Sequence, residues 1–405
     1  MEKNILDRFT DTYHQWTLNH RTQASVSSEY AFYLKQKDAR LKEKGLQIEE
    51  DFAHVKEEIR GVIRRENFPY IASVEYREAM HTLHYLKNGK RIRRYKEPVS
   101  IYATILDRQG NSDEEIICPN CGHRSLKSEL GKGCPYCGTY FELPPDYPYV
   151  TSFYSVPGIT ERSSLNGRIK KITIIPGITI ALLVLISYLF TSKEPLAVKI
   201  FYSIFLSAMT GGVTAFVAYM LYSFSLLSKV FFEAGRSLPL LKGIRTKKKT
   251  EEKMKAYEDD FSYEYFEGRM ITLLRQIAFS KKREALSVYT GNEDLSFFDD
   301  LVDLSYRGAS QLLDLKEEDG RLQLKMRVFL NDIYYRRNIR RKDESFIVIM
   351  EKDAHVSEIG HDICRVQCRN CGGSFDALHY KDCPHCGSRY ELVHDDWVIS
   401  AIVPA

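Results

Sequence analysis

Eight of the nine cysteines fall into four Cys-x-x-Cys-Gly knuckles: Cys118 and Cys121, Cys134 and Cys137, Cys368 and Cys371, Cys383 and Cys386. Two residues between thiolates let both sulfurs reach one tetrahedral ion, and the following glycine permits the tight turn. Pro119, Pro135 and Pro384 stiffen three of these turns. The 12 residues between Cys121 and Cys134, and the 11 between Cys371 and Cys383, suit two knuckles closing over one ion. Two zinc ribbons are therefore expected, over residues 116–143 and 366–392. Four thiolates leave no position for water, so both zinc ions are expected to be structural. Such an ion contributes on the order of 10–16 kcal/mol to folding a small site. Cys364, four residues before Cys368, reads as a small buried apolar residue outside the set.

Other chemistry is thinner. His81 and His84 stand three apart in an expected strand, on opposite faces, and do not form a pair. His123, His379 and His385 lie in or beside knuckles, where solvated loop histidines are expected. The run His394, Asp395, Asp396 has no nucleophile nearby in sequence, and no glycine loop with a lysine cradles a phosphate. No enzyme is expected. Basic clusters are the stronger lead: Lys90, Arg91, Arg93 and Arg94, then Arg336, Arg337, Arg340, Arg341 and Lys342, then Lys247, Lys248 and Lys249. Each can meet an anionic lipid head group, worth about 1 kcal/mol near a membrane surface. The totals of 58 basic and 54 acidic residues, net +4, argue against a general nucleic-acid binder.

A bilayer enters through two uncharged runs, 21 residues at 172–192 and 29 at 200–228. Each is long enough to cross a hydrocarbon core of about 30 Å. Arg162, Arg168, Lys170 and Lys171 precede the pair, and Lys229, Arg236, Lys242, Arg245 and Lys247 to Lys249 follow it. The connecting loop holds only Lys193, Glu194 and Lys199, so both flanks are expected in the cytoplasm, at the cytoplasmic membrane. Residues 1–30 are polar and charged, without the apolar core of a signal peptide. On that reducing side zinc is favoured over disulfides. Pro176, Gly211 and Gly212 lie inside the spans, where kinks and close helix contacts are tolerated. Neither span carries an ionisable residue, so the hairpin reads as an anchor.

The elements that must position the cysteines repeat as well. Residues 92–108 and 339–353 each give a basic turn followed by an apolar strand. After the ribbons, Glu142 and Leu143 answer Glu391 and Leu392, and residues 149–152 answer 397–400. Each ribbon thus reads as an insertion between strands. In the second copy a helix with Phe261, Tyr265, Phe266, Met270, Leu273, Leu274 and Ile277 on one face precedes a turn at Asp319 and Gly320. Leu322, Leu324, Met326, Val328 and Leu330 then alternate with polar residues; 346–350 forms a third strand, and Trp397, Ile399, Ala401 and Val403 line a fourth. Upstream, Tyr30, Tyr33, Leu34 and Leu41, then Phe52, Val55, Ile59, Val62 and Ile63, predict two amphipathic helices ending before Pro69.

Residues 261–274, the strand meander after them and the closing 395–402 resemble the domain of the import-motor anchor of the mitochondrial inner-membrane translocase, subunit forty-four. The resemblance covers about residues 257–405, with a degenerate copy over about 70–156. It implies a cone-like fold akin to nuclear transport factor two, an apolar pocket between helix and sheet, and a role touching lipid or protein at a membrane surface. It implies no reaction. This chain departs from that family in its two copies and its ribbons, so import-motor partners do not carry over.

The expected architecture is α+β plus membrane helices: N-terminal helices at 1–69, a first copy at 70–160, the hairpin at 172–228, a basic linker at 229–256 and a second copy at 257–405. The expected function is a membrane-anchored, zinc-binding adaptor or scaffold for an unknown protein partner, with anionic lipid as a further contact. The alternatives are a carrier or sensor of an apolar ligand and an oligomeric transporter or channel component.

Overall fold

The computed structural model describes residues 4–19, 26–54, 60–110, 113–141, 143, 145–157 and 162–405. Val55, Ile59 and Glu142 lie outside the described residues, as do the side chains of Val62, Arg162, Arg168, Lys170, Lys229, Arg236, Lys242 and Arg245.

The first part contains α1 (Ile5–Asn19), α2 (Ser28–Glu43), β1 (Leu46–His54), β2 (Arg60–Asn67), β3 (Tyr70–Lys87) and β4 (Lys90–Arg108). The short strands β5 (Glu115–Ile117) and β6 (Arg124–Leu126) belong to the first ribbon, and β7 (Tyr149–Pro157) closes the sheet. Two apolar helices follow, α3 (Arg162–Thr191) and α4 (Leu196–Met254). The second part contains α5 (Tyr263–Phe279), β8 (Leu301–Glu318), β9 (Arg321–Tyr335), β10 (Ile339–Asp353), ribbon strands β11 (Val366–Gln367) and β12 (Ser374–Phe375), and β13 (Val398–Pro404).

Both sheets are antiparallel and share one plan. The first runs β1-β3-β4-β7, with β2 also on β3, and the second runs β8-β9-β10-β13. Taken in chain order, β1, β3, β4 and β7 answer β8, β9, β10 and β13, with β2 an addition to the first sheet, and each ribbon fills the connection into the last strand, β4 to β7 and β10 to β13. The helix starts repeat too. Ser27 caps α2 by accepting from the Tyr30 N–H, and Ser262 caps α5 by accepting from the Tyr265 N–H, both at 3.2 Å.

Three expectations are corrected. Residues 46–54 and 60–67 are strand and not a second helix: Gly45, at φ 65°, ends α2, and Leu46, Ile48, Glu50 and Phe52 then alternate buried with more exposed neighbours against β3. A period of two, with a long strand to pair against, overrides the helical spacing. The last strand does not keep Ala401 and Val403 on the core side. A register shift between Ile349 and Met350 leaves Ser400 bulged, and Ile402 takes the buried place after Trp397 and Ile399. Nor are the copies two separate domains: residues 1–158 and 240–405 form one compact unit around one continuous apolar core.

Charged side chains cross that shared core. Lys37 of α2 is buried and meets Asp303 of β8 at 2.7 Å and Glu50 of β1 at 3.9 Å. Glu50 also accepts from Tyr13 at 2.9 Å and lies 2.8 Å from His81; despite burial, Lys37 and His81 hold its carboxyl well below the usual range. Arg40 donates to the carbonyls of Ala278, Phe279 and Phe298, and so satisfies the open end of α5 from the other copy. Arg65 of β2 meets Glu258 at 2.8 Å and Glu358 at 2.9 Å, beside Lys352 of β10. In return, Arg269 of α5 pairs with Glu29 of α2, and Arg275 reaches Phe153 O at 2.5 Å and Leu304 O at 3.1 Å across neighbouring β7 and β8. α5 lies so close to the first sheet that a Cβ on Gly268 would stand 2.9 Å from the hydroxyls of Ser152 and Thr104. Between α5 and its own sheet, Leu273, Leu274, Leu324, Met326, Val328 and Leu330 are fully buried.

The apolar helices form the other unit, 159–239. Lys171–Thr191 and Leu196–Phe224 are long and apolar enough to cross a membrane. They meet through small residues. A Cβ on Gly177 would lie 2.9 Å from Ala215 Cβ and Gly211 O, and one on Gly211 would lie 2.7 Å from Ala181 Cβ. Gly177 and Ala181 on α3 thus interlock with Gly211 and Ala215 on α4, a small-x-x-x-small pair on each side. Replacing Gly211 with isoleucine should separate the helices. A cross-link between cysteines introduced at the crossing should fall several-fold, while the unit of residues 1–158 and 240–405 keeps its melting temperature.

Glu267 on α5 is buried, accepts from the Tyr306 hydroxyl, and is pushed up to about 7 by burial. The folded state therefore keeps a proton that the unfolded chain releases near the ordinary glutamate value, and stability falls as pH rises between the two. Glu267→Gln should stabilise the protein by on the order of 2 kcal/mol above pH 7 and by nothing near pH 4, as read from denaturant melts.

Candidate metal centres

Each ribbon is built from two nearly superimposable knuckles. The N–H groups of Gly122, Gly138, Gly372 and Gly387 bond to the carbonyls of Cys118, Cys134, Cys368 and Cys383 at 2.8–2.9 Å. All four glycines sit at φ 71–74°, the left-handed region that a side chain resists. These turns aim the cysteines of each ribbon inward, and the four sulfurs of each group lie within 4.8 Å of one another. Cys118 and Cys137 are 3.6 Å apart; Cys121 and Cys134, Cys368 and Cys386, and Cys371 and Cys383 are each 3.7 Å apart. A disulfide would require about 2.05 Å. A tetrahedron with Zn–S of about 2.3 Å has edges of about 3.8 Å, so both four-cysteine clusters fit a zinc ion. Cys364 belongs to neither cluster.

The sequence reading missed two residues per site. Asn120 Nδ2 points to Cys137 Sγ at 3.7 Å and bonds Thr139 Oγ1 at 2.9 Å, and Asn370 does the same with Cys386 and Ser388 at the same distances. The hydroxyls of Thr139 and Ser388 stand 3.2 Å from Cys137 and Cys386. With the adjacent backbone N–H they bring Cys137 and Cys386 down to about 6, whereas Cys121 and Cys371, despite a backbone N–H bond of their own, are pushed up to about 12 by the neighbouring thiols and burial. The signal was present as an asparagine before the second cysteine and a hydroxyl residue after the last knuckle glycine, in both copies.

The ribbons differ in their footing. Ile116, Cys118, Leu130 and Cys134 make a small core of their own in the first. In the second, Val366, Cys368, Phe375, Cys383 and Tyr390 belong to the main core. There His379 packs edge-on against Phe32 of α2 at 5.3 Å, and Lys381 donates to Tyr289 O at 2.7 Å. The two ribbons approach each other at equivalent positions, a Cβ on Gly122 lying 3.8 Å from Gly372 O.

The histidines have other occupations. His81 is buried on Glu50, His84 faces Glu49, His123 stacks on Tyr136, and His385 meets Ser374 O. The run at 394–396 is divided: His394 sits 2.7 Å from Asp353, Asp395 meets Arg369 at 2.9 Å, and Asp396 pairs with Arg269.

At the opposite end of the sheets from the ribbons, the basic hairpin tips of both copies meet. Lys87 donates to Tyr335 Oη at 2.5 Å, Arg341 forks onto Glu97 at 2.9 and 3.0 Å, and Arg93 and Arg341 both lie over the Tyr95 ring. The structure thus joins two clusters that lie far apart in sequence. Arg336 is engaged by Asp300, Arg341 by Glu97, Arg91 by Glu49 at 3.9 Å, and Lys247 by Glu264. Lys248 stands 3.9 Å from Glu252, and Lys249 is exposed. Lys90, Arg93, Arg94, Arg337 and Arg340 are exposed without a carboxylate partner among the described residues.

No family model, curated protein or solved structure matches this chain.

Because only the second ribbon shares the main core, the two sites should fail differently. Cys383→Ser should lower the melting temperature of the whole sheet unit and speed amide exchange in β10 and β13. Cys134→Ser should release exchange protection only within 113–141. Equal global losses would contradict the division.

Proposed function

We propose that this chain is a membrane-anchored zinc protein whose soluble unit serves as an adaptor or scaffold at the membrane surface. The observation that carries the proposal is the shared core: segments on both sides of the apolar hairpin fold into one unit. If both helices cross a bilayer, both flanks end on one side, as that unit requires. Lysines and arginines on both flanks and a loop poor in them support the cytoplasmic side of the cytoplasmic membrane. The interlocked small residues of α3 and α4 suit a self-contained anchor. The four-cysteine clusters hold two structural zinc ions, which stiffen the ribbon end of the unit.

The resemblance to the translocase anchor extends this reading to protein translocation or membrane assembly. Two cone-like copies would face each other, with a protein partner as the cargo of the scaffold. The joined basic tips offer a meeting place for anionic head groups beside it. The filled space between α5 and its sheet gives no support to the apolar-ligand alternative.

Photo-crosslinking of the intact chain in native membranes tests the proposal, run beside a Cys134→Ser, Cys137→Ser variant that leaves the main core whole. A discrete protein adduct is expected, and it should weaken in the variant if the first ribbon presents the binding face. Lipid adducts alone would overturn the scaffold.

A further inference from the structure

Where the two copies join, a narrow polar cleft remains that neither the zinc sites nor the basic tips use. The start of α2, strands β4 and β7, helix α5 and the loop after β10 line it around a cavity of about 50 Å³. A water molecule takes about 30 Å³ in the liquid, so only one or two small groups, the end of a ligand, can enter.

The charges around the cleft do not balance. Among the described residues, Arg269 alone answers two buried carboxylates, Glu29 of α2 and Asp396. Beside them Arg65 and Lys352 answer Glu258 and Glu358, two for two. Asp362 accepts from the Cys364 N–H at 3.0 Å, and its nearest cation, Arg365, stands off at 3.8 Å. Burial pushes Asp396 up to about 6 despite Arg269, and it raises Asp362 despite Arg365. One more positive charge in the cleft would relieve both carboxyls.

Two unpartnered groups lie in the same lining. Thr104 is 2 % exposed and its hydroxyl has no hydrogen-bond partner, and the buried Nε2 of His361 has none either. Buried polar atoms are rarely left so, and here they face a space that a guest can fill. A chelated metal ion does not suit the site: among the described residues, three or more ligand atoms gather within 4.8 Å only in the two cysteine clusters. A primary ammonium suits it better, because its three N–H donors reach acceptors on separate sides. Ala72, Leu106 and Tyr149, part of a small apolar cluster, line the same cavity and match a methylene stem.

We infer that this cleft binds a primary alkylammonium group, carried by a soluble amine or by an ethanolamine lipid head group. The ammonium would donate to the carboxylates of Glu29 and Asp362 and to the Thr104 hydroxyl, and its stem would lie against Leu106 and Tyr149. Glu29 and Thr104 come from the first copy and Asp362 from the second, so the site exists only when the copies are joined.

The test titrates propylamine by calorimetry, at neutral pH, into the full chain held in phosphatidylcholine nanodiscs. Saturable binding is expected. Propanol, with the same shape and no charge, and tetramethylammonium, with the charge and no N–H donor, should each bind weaker by about tenfold or more. Asp362→Asn should weaken propylamine by about tenfold, and so should Thr104→Val. The valine variant removes a hydroxyl that has no partner in the protein, so its melting temperature should be unchanged. No saturable binding, equal binding of propanol, or full affinity in both variants would overturn the inference. Repeating the titration in phosphatidylethanolamine nanodiscs separates the two sources: a several-fold weaker propylamine affinity assigns the site to the head group, and an unchanged one to a soluble amine.

Discussion

The sheet unit depends on buried charges that find their partners in the other copy of the repeat. Lys37 needs Asp303, Arg65 needs Glu258 and Glu358, and Arg269 needs Glu29. A buried charge stripped of its partner costs about 3–5 kcal/mol, so parting the copies would leave several such penalties at once. Apolar area alone would have joined the copies in many orientations. The ion pairs and the Arg40 and Arg275 bonds to backbone carbonyls select one.

From this joining follows a division of labour along the sheets. β3 and β4 are 18 and 19 residues long, so the two ends of that hairpin stand about 60 Å apart. One end carries the ribbons and the other the basic tips. Because both copies follow the same strand order, joining them brings like features together: knuckle beside knuckle at Gly122 and Gly372, tip beside tip at Lys87 and Tyr335. The duplication produces two composite surfaces that neither copy has alone.

The metal ligands were legible because thiolate spacing is local chemistry: four residues and a glycine define a knuckle wherever it sits. The hairpin was legible for a similar reason, its length and lack of charge. What the sequence hid were decisions made between distant segments. Phe52 to Ile63 reads as helix until β3 offers a long partner strand. The bulge at Ser400 follows from pairing with β10 and has no mark of its own. Lys37, Arg40 and Arg65 look like surface charges in a highly charged stretch, and only the other copy reveals them as buried. Asn120 and Asn370 could have been found by aligning the two knuckles side by side.

The order in which the chain is made gives the shared core a temporal meaning. Residues 1–158 leave the ribosome first, with Lys37, Arg65 and Glu29 still lacking the groups that neutralise them. Their partners emerge only after both apolar helices have been synthesised. The first copy must therefore wait, incompletely folded, through the interval in which the apolar hairpin is made. Completion of the sheet unit becomes a checkpoint on synthesis: a chain whose apolar hairpin fails to return its second half to the first cannot close its core.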